Sequence, residues 1–260
     1  MTGAGGISVG ERGGPGLAVV VPAFNEEGTV GDTVAALRGV LPLGRVVVVD
    51  DGSADETSAR ARAAGAEVVR MERNRGKGAA LAAGFRHVLA NGDGNPGLFP
   101  KPDLVLMIDA DLGRSAAEAV KLVEACRKGA DMSIAAFRAP VGVKGGGFGL
   151  VKTLSCWAVR RFGGQRIVFP LSGQRAFAPS VLEKVGPIAE GWGIEIVFTI
   201  EALRAGFKVV EVDTGMAHHA TGRDWRGFVH RGRQFWGILL AVAPYLLGRG
   251  RGRSRGGLRL

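Results

Sequence analysis

The 260-residue sequence predicts an α/β protein with a mostly parallel, twisted sheet flanked by helices. Three features carry that prediction. Unbroken apolar runs recur along the chain, an amphipathic stretch of helical period follows each, and acids close several runs at the same end. Strands buried on both faces read as continuous apolar runs, and parallel neighbours need a helical crossover between them.

The elements follow in order. "LAVVVPAFNEE" is a strand that starts near Leu17 and ends in a turn, followed by a helix to about Arg38. "RVVVVDDGS" is a second buried strand and "ADETSARARAAG" its helix. "AEVVRM" is a short third strand, and "KGAALAAGFRHVLANG" is a helix with small residues along one side. "DLVLMIDADL" is the fourth strand, "SAAEAVKLVEACRKG" the next helix, and "ADMSIAAF" the fifth strand. Right-handed crossovers place the carboxyl ends of parallel strands on one edge, where open α/β sheets bind ligands. Glu26 and Glu27, Asp50 and Asp51, and Asp109 and Asp111 sit at that edge. If Asp109 and Asp111 continue the fourth strand, both point to one face and repel each other unless a cation lies between them.

Composition narrows the class. A hydrophobic content of 46% suffices for a core. Cys126 and Cys156 lie far apart in apolar contexts, a pattern of a reduced, cytoplasmic setting without a zinc site. Residues 1–16 read as a Gly-rich disordered leader lacking the apolar core of a secretion signal. The net charge is +10; five arginines and no acids fall within residues 248–260, read as a disordered tail, which leaves +5 for the rest. Such an excess suits an anionic ligand. No zinc finger, helix-turn-helix or RNA-stacking motif is present, so nucleic acid is not expected as a partner.

Two nucleotide motifs are missing. The turn after the first strand is "PAFNEEG" rather than the G-x-G-x-x-G of dinucleotide enzymes. "RNRGKGAAL" lacks the earlier glycine and the Ser/Thr of a P-loop, yet Lys77 at a helix start can still meet phosphate.

In order and spacing, "VVVPAFNEE", "VVVVDDGSADET", "RNRGKGAAL" and "MIDADL" resemble the successive motifs of family-2-like glycosyltransferases of the GT-A fold over about residues 17–137. The resemblance implies one Rossmann-like domain acting on a nucleoside-diphosphate sugar. It places Pro22, Ala23, Glu26, Asp50, Asp51 and Gly52 around base and ribose, with Asp109 and Ala110 beside them. It makes Asp111 a ligand of Mg²⁺ or Mn²⁺ and gives Lys77 a charge toward the diphosphate. Hard cations with oxygen ligands neutralise the charge that builds on a leaving diphosphate.

Beyond residue 138 the segments "VKGGGFG", "FPLSGQRAF", "GWGIEI" and "DTGMAHH" are similar to those of the retaining glucosyl-3-phosphoglycerate synthases. That likeness implies an acceptor half over residues 138–224, with Gly147, Gly173, Arg175 and Glu195 at the acceptor and His219, or its neighbour His218, as a further metal ligand. The pattern departs at Phe148 and Leu150, where those synthases carry Arg and Thr, and at Ala220 and Thr221, where they carry Arg and Asn. Arg138, Lys144, Lys152, Arg175 and Arg223 are the candidates to replace the lost arginines. A broader resemblance to dolichyl-phosphate-mannose synthases offers a polyprenyl phosphate acceptor at the membrane surface instead. The apolar run Phe235 to Leu247, in a predicted helix over 225–247, is too short to span a bilayer, which needs about 20 residues. It reads either as a helix packed on the domain or as an interfacial one, and a peripheral membrane contact and a homodimer both stay open. The role of Glu195, general base or substrate-orienting, stays open with the stereochemistry. The competing classes are a sugar-phosphate nucleotidyltransferase and an inactive binding module; Asp109 and Asp111 together speak against the second.

Overall fold

The computed structural model describes residues 16–42, 44–90, 101–137, 149–185, 193–217 and 237–247. Seven strands form one sheet in the order β3-β2-β1-β4-β6-β5-β7. They are β1 (Leu17–Ala23), β2 (Arg45–Asp50), β3 (Glu67–Arg70), β4 (Leu104–Met107), β5 (Met132–Phe137), β6 (Arg175–Phe177) and β7 (Val209–Thr214). All pairings are parallel except those of β6, which runs antiparallel to both β4 and β5.

The helices are α1 (Val30–Val40), α2 (Thr57–Ala63), α3 (Lys77–Leu89), α4 (Val120–Arg127), α5 (Gly149–Ala158), α6 (Pro179–Val185), α7 (Ile194–Arg204) and α8 (residues 237–246). Alternate strand residues separate the core into two layers. Val20, Val47, Val49, Val105 and Met107 face α3, α6, α7 and α8. Val19, Val21, Val46, Val48, Leu104 and Leu106 face α1 and α4. This is why the strands are apolar without alternation. Gly84 lets α3 lie directly on the sheet, since a Cβ there would come within 2.4 Å of Val20 Cγ1 and 2.9 Å of Val49 Cγ2.

The largest departure from expectation is at the fourth strand. β4 stops at Met107, and Ala110–Ala119 forms a 3₁₀ segment broken at Gly113 (φ 51°, ψ −137°), so the helix expected from Ser115 becomes regular only at Val120. Asp109 and Asp111 thus occupy a strand-to-helix junction, and the same-face strand geometry does not apply to them. Thr33 of α1 fixes the junction: its Oγ1 donates to Ala110 O (2.8 Å) and accepts from the Gly113 amide (2.8 Å).

Candidate active site

The carboxyl ends of β1, β2 and β4 and the start of α3 enclose a cleft of about 510 Å³. Eight of the residues singled out from sequence line it: Pro22, Ala23, Glu26, Asp51, Lys77, Asp109, Ala110 and Asp111. Phe24, Asn74, Gly76 and Ala80 complete the lining. Phe24 was not anticipated although it lies within the quoted motif; its side chain stays 43% exposed, an apolar face left in solvent.

At one end of the cleft Lys77 bridges two acids. Its Nζ lies 2.7 Å from Asp109 Oδ1 and 3.3 Å from Glu195 Oε1. Burial would push this ammonium pKa down, but the two carboxylates outweigh it and raise the pKa above its ordinary value. Lys77 is a firmly held cation. Asp109 is held on its other oxygen by Gln174, whose Nε2 donates to Oδ2 at 2.7 Å. Gly173 backs this contact closely, since a Cβ there would meet Lys77 Nζ at 2.7 Å and Asp109 Oδ2 at 2.8 Å. Glu195 stands in the first turn of α7, opposite its own helix's negative end.

Asp51 organises the next wall. Its carboxylate accepts from the amides of Arg75 (2.8 Å) and Gly76 (2.7 Å), which fixes the start of α3 against β2. Gly52 lies behind, where a Cβ would sit 2.7 Å from the Arg73 carbonyl carbon. Glu26 faces the acids across the cleft. Burial raises its carboxyl pKa above the ordinary value; a hydrogen bond from Thr29 opposes this, and the charges of Asp111, Asp55 and Asp109 add to it. The edge is therefore rich in carboxylate charge that a divalent cation would relieve, and oxygen donors are the ligands Mg²⁺ and Mn²⁺ take. Among the described residues, no three His, Cys, Asp or Glu side chains gather closely enough to hold a metal by themselves.

Two of the expected site residues are buried and held by protein partners. Asp50 is fully buried beneath the cleft, accepting from the Ser53 amide (2.8 Å) and from Ser58 Oγ, and so shapes the β2 turn. Arg175 is also fully buried rather than presented to an acceptor. Its Nε donates to Ser172 O, Nη2 to Pro170 O and Nη1 to Thr199 Oγ1, each at 2.8 Å. Burial draws its pKa down to about 10 against the opposing pull of Glu195. Gly147, His218 and His219 lie outside the described residues, as do Arg138, Lys144, Phe148, Ala220, Thr221 and Arg223, the leader to residue 15 and the tail from residue 248. Lys152 is exposed, its ammonium 4.5 Å from the centre of the Phe169 ring.

Comparison with known proteins shows the family and the fold. Residues 18–171, more than half of the chain, match the family described as glycosyl transferase family 2. The chain is 30% identical over 207 residues to the undecaprenyl-phosphate mannosyltransferase of Micrococcus luteus, which spans 74% of this chain and 80% of that protein. It is also 30% identical over 233 residues to the glucosyl-3-phosphoglycerate synthase of Mycolicibacterium paratuberculosis, spanning 80% and 67%. Among solved structures, the glucosyl-3-phosphoglycerate synthase of Mycobacterium tuberculosis, in complex with Mn²⁺, UDP and phosphoglyceric acid, superposes with a TM-score of 0.71 at 25% identity, covering 98% of this chain and 86% of that one.

Proposed function

Because the chain belongs to glycosyl transferase family 2 and is thus a glycosyltransferase, we propose that it moves a hexose from a UDP- or GDP-linked sugar to a small phosphorylated acceptor such as 3-phosphoglycerate. The observation that carries this reading is the Lys77 ammonium between Asp109 and Glu195, in the cleft that Asp111, Pro22, Ala23 and Asp51 also line. The cleft is large enough for a nucleotide, and its lining combines apolar residues with Glu26, Asp51, Lys77, Asp109 and Asp111.

In this reading Pro22, Ala23, Glu26 and Asp51 surround the nucleoside, and the exposed face of Phe24 adds an apolar wall for the base. The amides of Arg75 and Gly76, tied to Asp51, hold the positive end of α3 toward the diphosphate. Lys77, shared between Asp109 and Glu195, would turn its ammonium toward the place where negative charge grows as the sugar departs. Asp111, together with His219, would hold Mg²⁺ or Mn²⁺, as the presence of Mn²⁺ in the Mycobacterium tuberculosis synthase supports. The ion, when bound, supplies Lewis-acid neutralisation of the leaving diphosphate. Glu195, within the segment read as the acceptor half, is tied to Lys77 and would act on the acceptor.

Calorimetric titration with UDP and with GDP, each with and without Mn²⁺, tests the donor reading. Metal-dependent binding of one nucleotide is the expected result; binding of neither refutes it. His219→Ala should weaken Mn²⁺ affinity, and unchanged affinity would place the second ligand elsewhere.

One observation favours a second acceptor, a polyprenyl phosphate at a membrane surface. α8 turns Ile238, Val242 and Tyr245 into the core yet leaves Leu240 and Leu246 exposed, as is Leu247 just after it, and Arg-rich sequence follows. The named substrate of the Micrococcus luteus relative supports this alternative. No described helix is long and apolar enough to cross a membrane; in this alternative the exposed leucines would meet the surface as an interfacial helix does. With the donor identified, transfer of labelled sugar to 3-phosphoglycerate or to undecaprenyl phosphate in micelles separates the two acceptors.

A further inference from the structure

The contacts behind the cleft close into a ring. Lys77 touches Asp109 and Glu195. Asp109 accepts from Gln174, and Ser172 Oγ donates to Gln174 Oε1 at 3.2 Å. The carbonyls of Pro170 and Ser172, in the same loop, accept from Arg175. Arg175 also donates to Thr199 Oγ1, and Thr199 Oγ1 donates to Glu195 O at 2.7 Å, one turn back along α7. The circuit thus returns to Lys77 through Glu195.

We infer that Arg175 is a positioning residue, a buried clamp that sets the distance between the Asp109 wall and the Glu195 wall on either side of Lys77. The inference rests on the reading of Lys77, Asp109 and Glu195 as the transfer centre. Neither wall can set this distance alone. Asp109 follows β4, whereas Glu195 opens a helix reached through the antiparallel strand β6. A planar guanidinium with donors in a fixed fork can bind the loop carbonyls and the helix hydroxyl at once. A lysine ammonium at the same place has no fork. Full burial keeps water from replacing the lost donors, so loosening the clamp is felt at the carboxylates it aligns.

Two substitutions test it. Arg175→Lys keeps the charge but removes the fork, and Thr199→Val keeps the shape of α7 but removes the hydroxyl link. Arg175→Lys risks misfolding, so Thr199→Val serves as the second, nearly isosteric probe. Both should bind UDP or GDP with Mn²⁺ within about threefold of wild type while kcat falls roughly 10- to 100-fold, the range typical of supporting partners behind a reactive site. The double variant should be no slower than Arg175→Lys alone, because both changes open the same link. Thr199→Val with wild-type kcat, or kcat losses that multiply, would overturn the inference. Crystal structures of the variants decide independently of turnover: a Lys77–Glu195 contact kept at its wild-type distance overturns it. Wild-type protein inert toward every sugar nucleotide would instead refute the functional reading, leaving the crystallographic comparison to judge the clamp.

Discussion

Adding one methyl group at Gly173 tests the geometry of the centre with little disturbance elsewhere. An alanine Cβ at this position would lie 2.7 Å from Lys77 Nζ and 2.8 Å from Asp109 Oδ2. Heavy atoms settle at about 3.5–4 Å, so the pair must retreat by roughly 1 Å. Lys77 Nζ ends a flexible side chain, but moving it stretches its contacts with Asp109 and Glu195. Asp109 is tethered by Gln174, so the 2.7 Å contact between lysine and aspartate is what yields. A misplacement of this size costs about 100-fold in rate, or about 2.7 kcal/mol of barrier. The Gly173 backbone lies outside the left-handed region, so the only loss of stability, about 1–3 kcal/mol, comes from the displaced lysine and aspartate. Initial rates with the sugar nucleotide chosen by titration, beside thermal melts, provide the assay. Wild-type kcat in a normally folded Gly173→Ala protein would refute the reasoning. Gly76→Ala supplies the contrast: nothing lies within 4 Å of its Cβ, but φ is +89° with ψ 160°, a region only glycine enters readily, so about 1–3 kcal/mol of backbone strain should appear in the melt without a steric clash.

Asp111→Asn should fold normally yet lose Mn²⁺-dependent nucleotide binding by about tenfold or more, a factor worth about 1.4 kcal/mol; unchanged binding would remove Asp111 from the metal site. Burial would raise the Asp50 carboxyl pKa, but hydrogen bonds from Ser53 and Ser58, and the charge of Arg70, hold it below its ordinary value. Its stabilisation is therefore complete above the unfolded carboxyl pKa near 3.9 and is lost as pH falls through the lower folded value. Asp50→Asn should cost about 1–3 kcal/mol at pH 7, with the gap from wild type narrowing below about pH 4; urea melts across that range check it, and a constant gap would contradict it. Gly84→Ala should destabilise by about 1–3 kcal/mol because its Cβ overlaps Val20 and Val49 across the α3–sheet contact; an unchanged melt would show that α3 can shift outward at little cost.

Part of the site was legible because its signals are local. Strands β1 and β2 are runs buried on both faces, and the acids that end them fall at one edge by the rule of parallel connection. Lys77 was found because "RGKG" opens a helix beside that edge. The aspartates were found by their motif, but their geometry was misjudged. Apolar character alone runs on through Ile108, whereas Thr33, from a distant helix, draws the chain out of the strand at Ala110 and Gly113. Phe24 carries no polar signal, and Gln174 gains meaning only from Asp109, far away in sequence.

By itself the sequence determined the α/β class, the parallel strands β1 to β4, the helix that begins at Lys77 and the carboxylates at the sheet edge, because each depends on residues adjacent along the chain. Tertiary structure alone decided the rest. β6 is three residues long, too short for any periodicity to announce, and its antiparallel insertion between β4 and β5 exists only through pairing. That insertion buries Arg175 among acceptors from its own loop and from α7, turning an arginine expected to meet an anion into an internal clamp. A buried charge is stable only where its surroundings supply hydrogen-bond partners, and here those partners come together only when the chain folds.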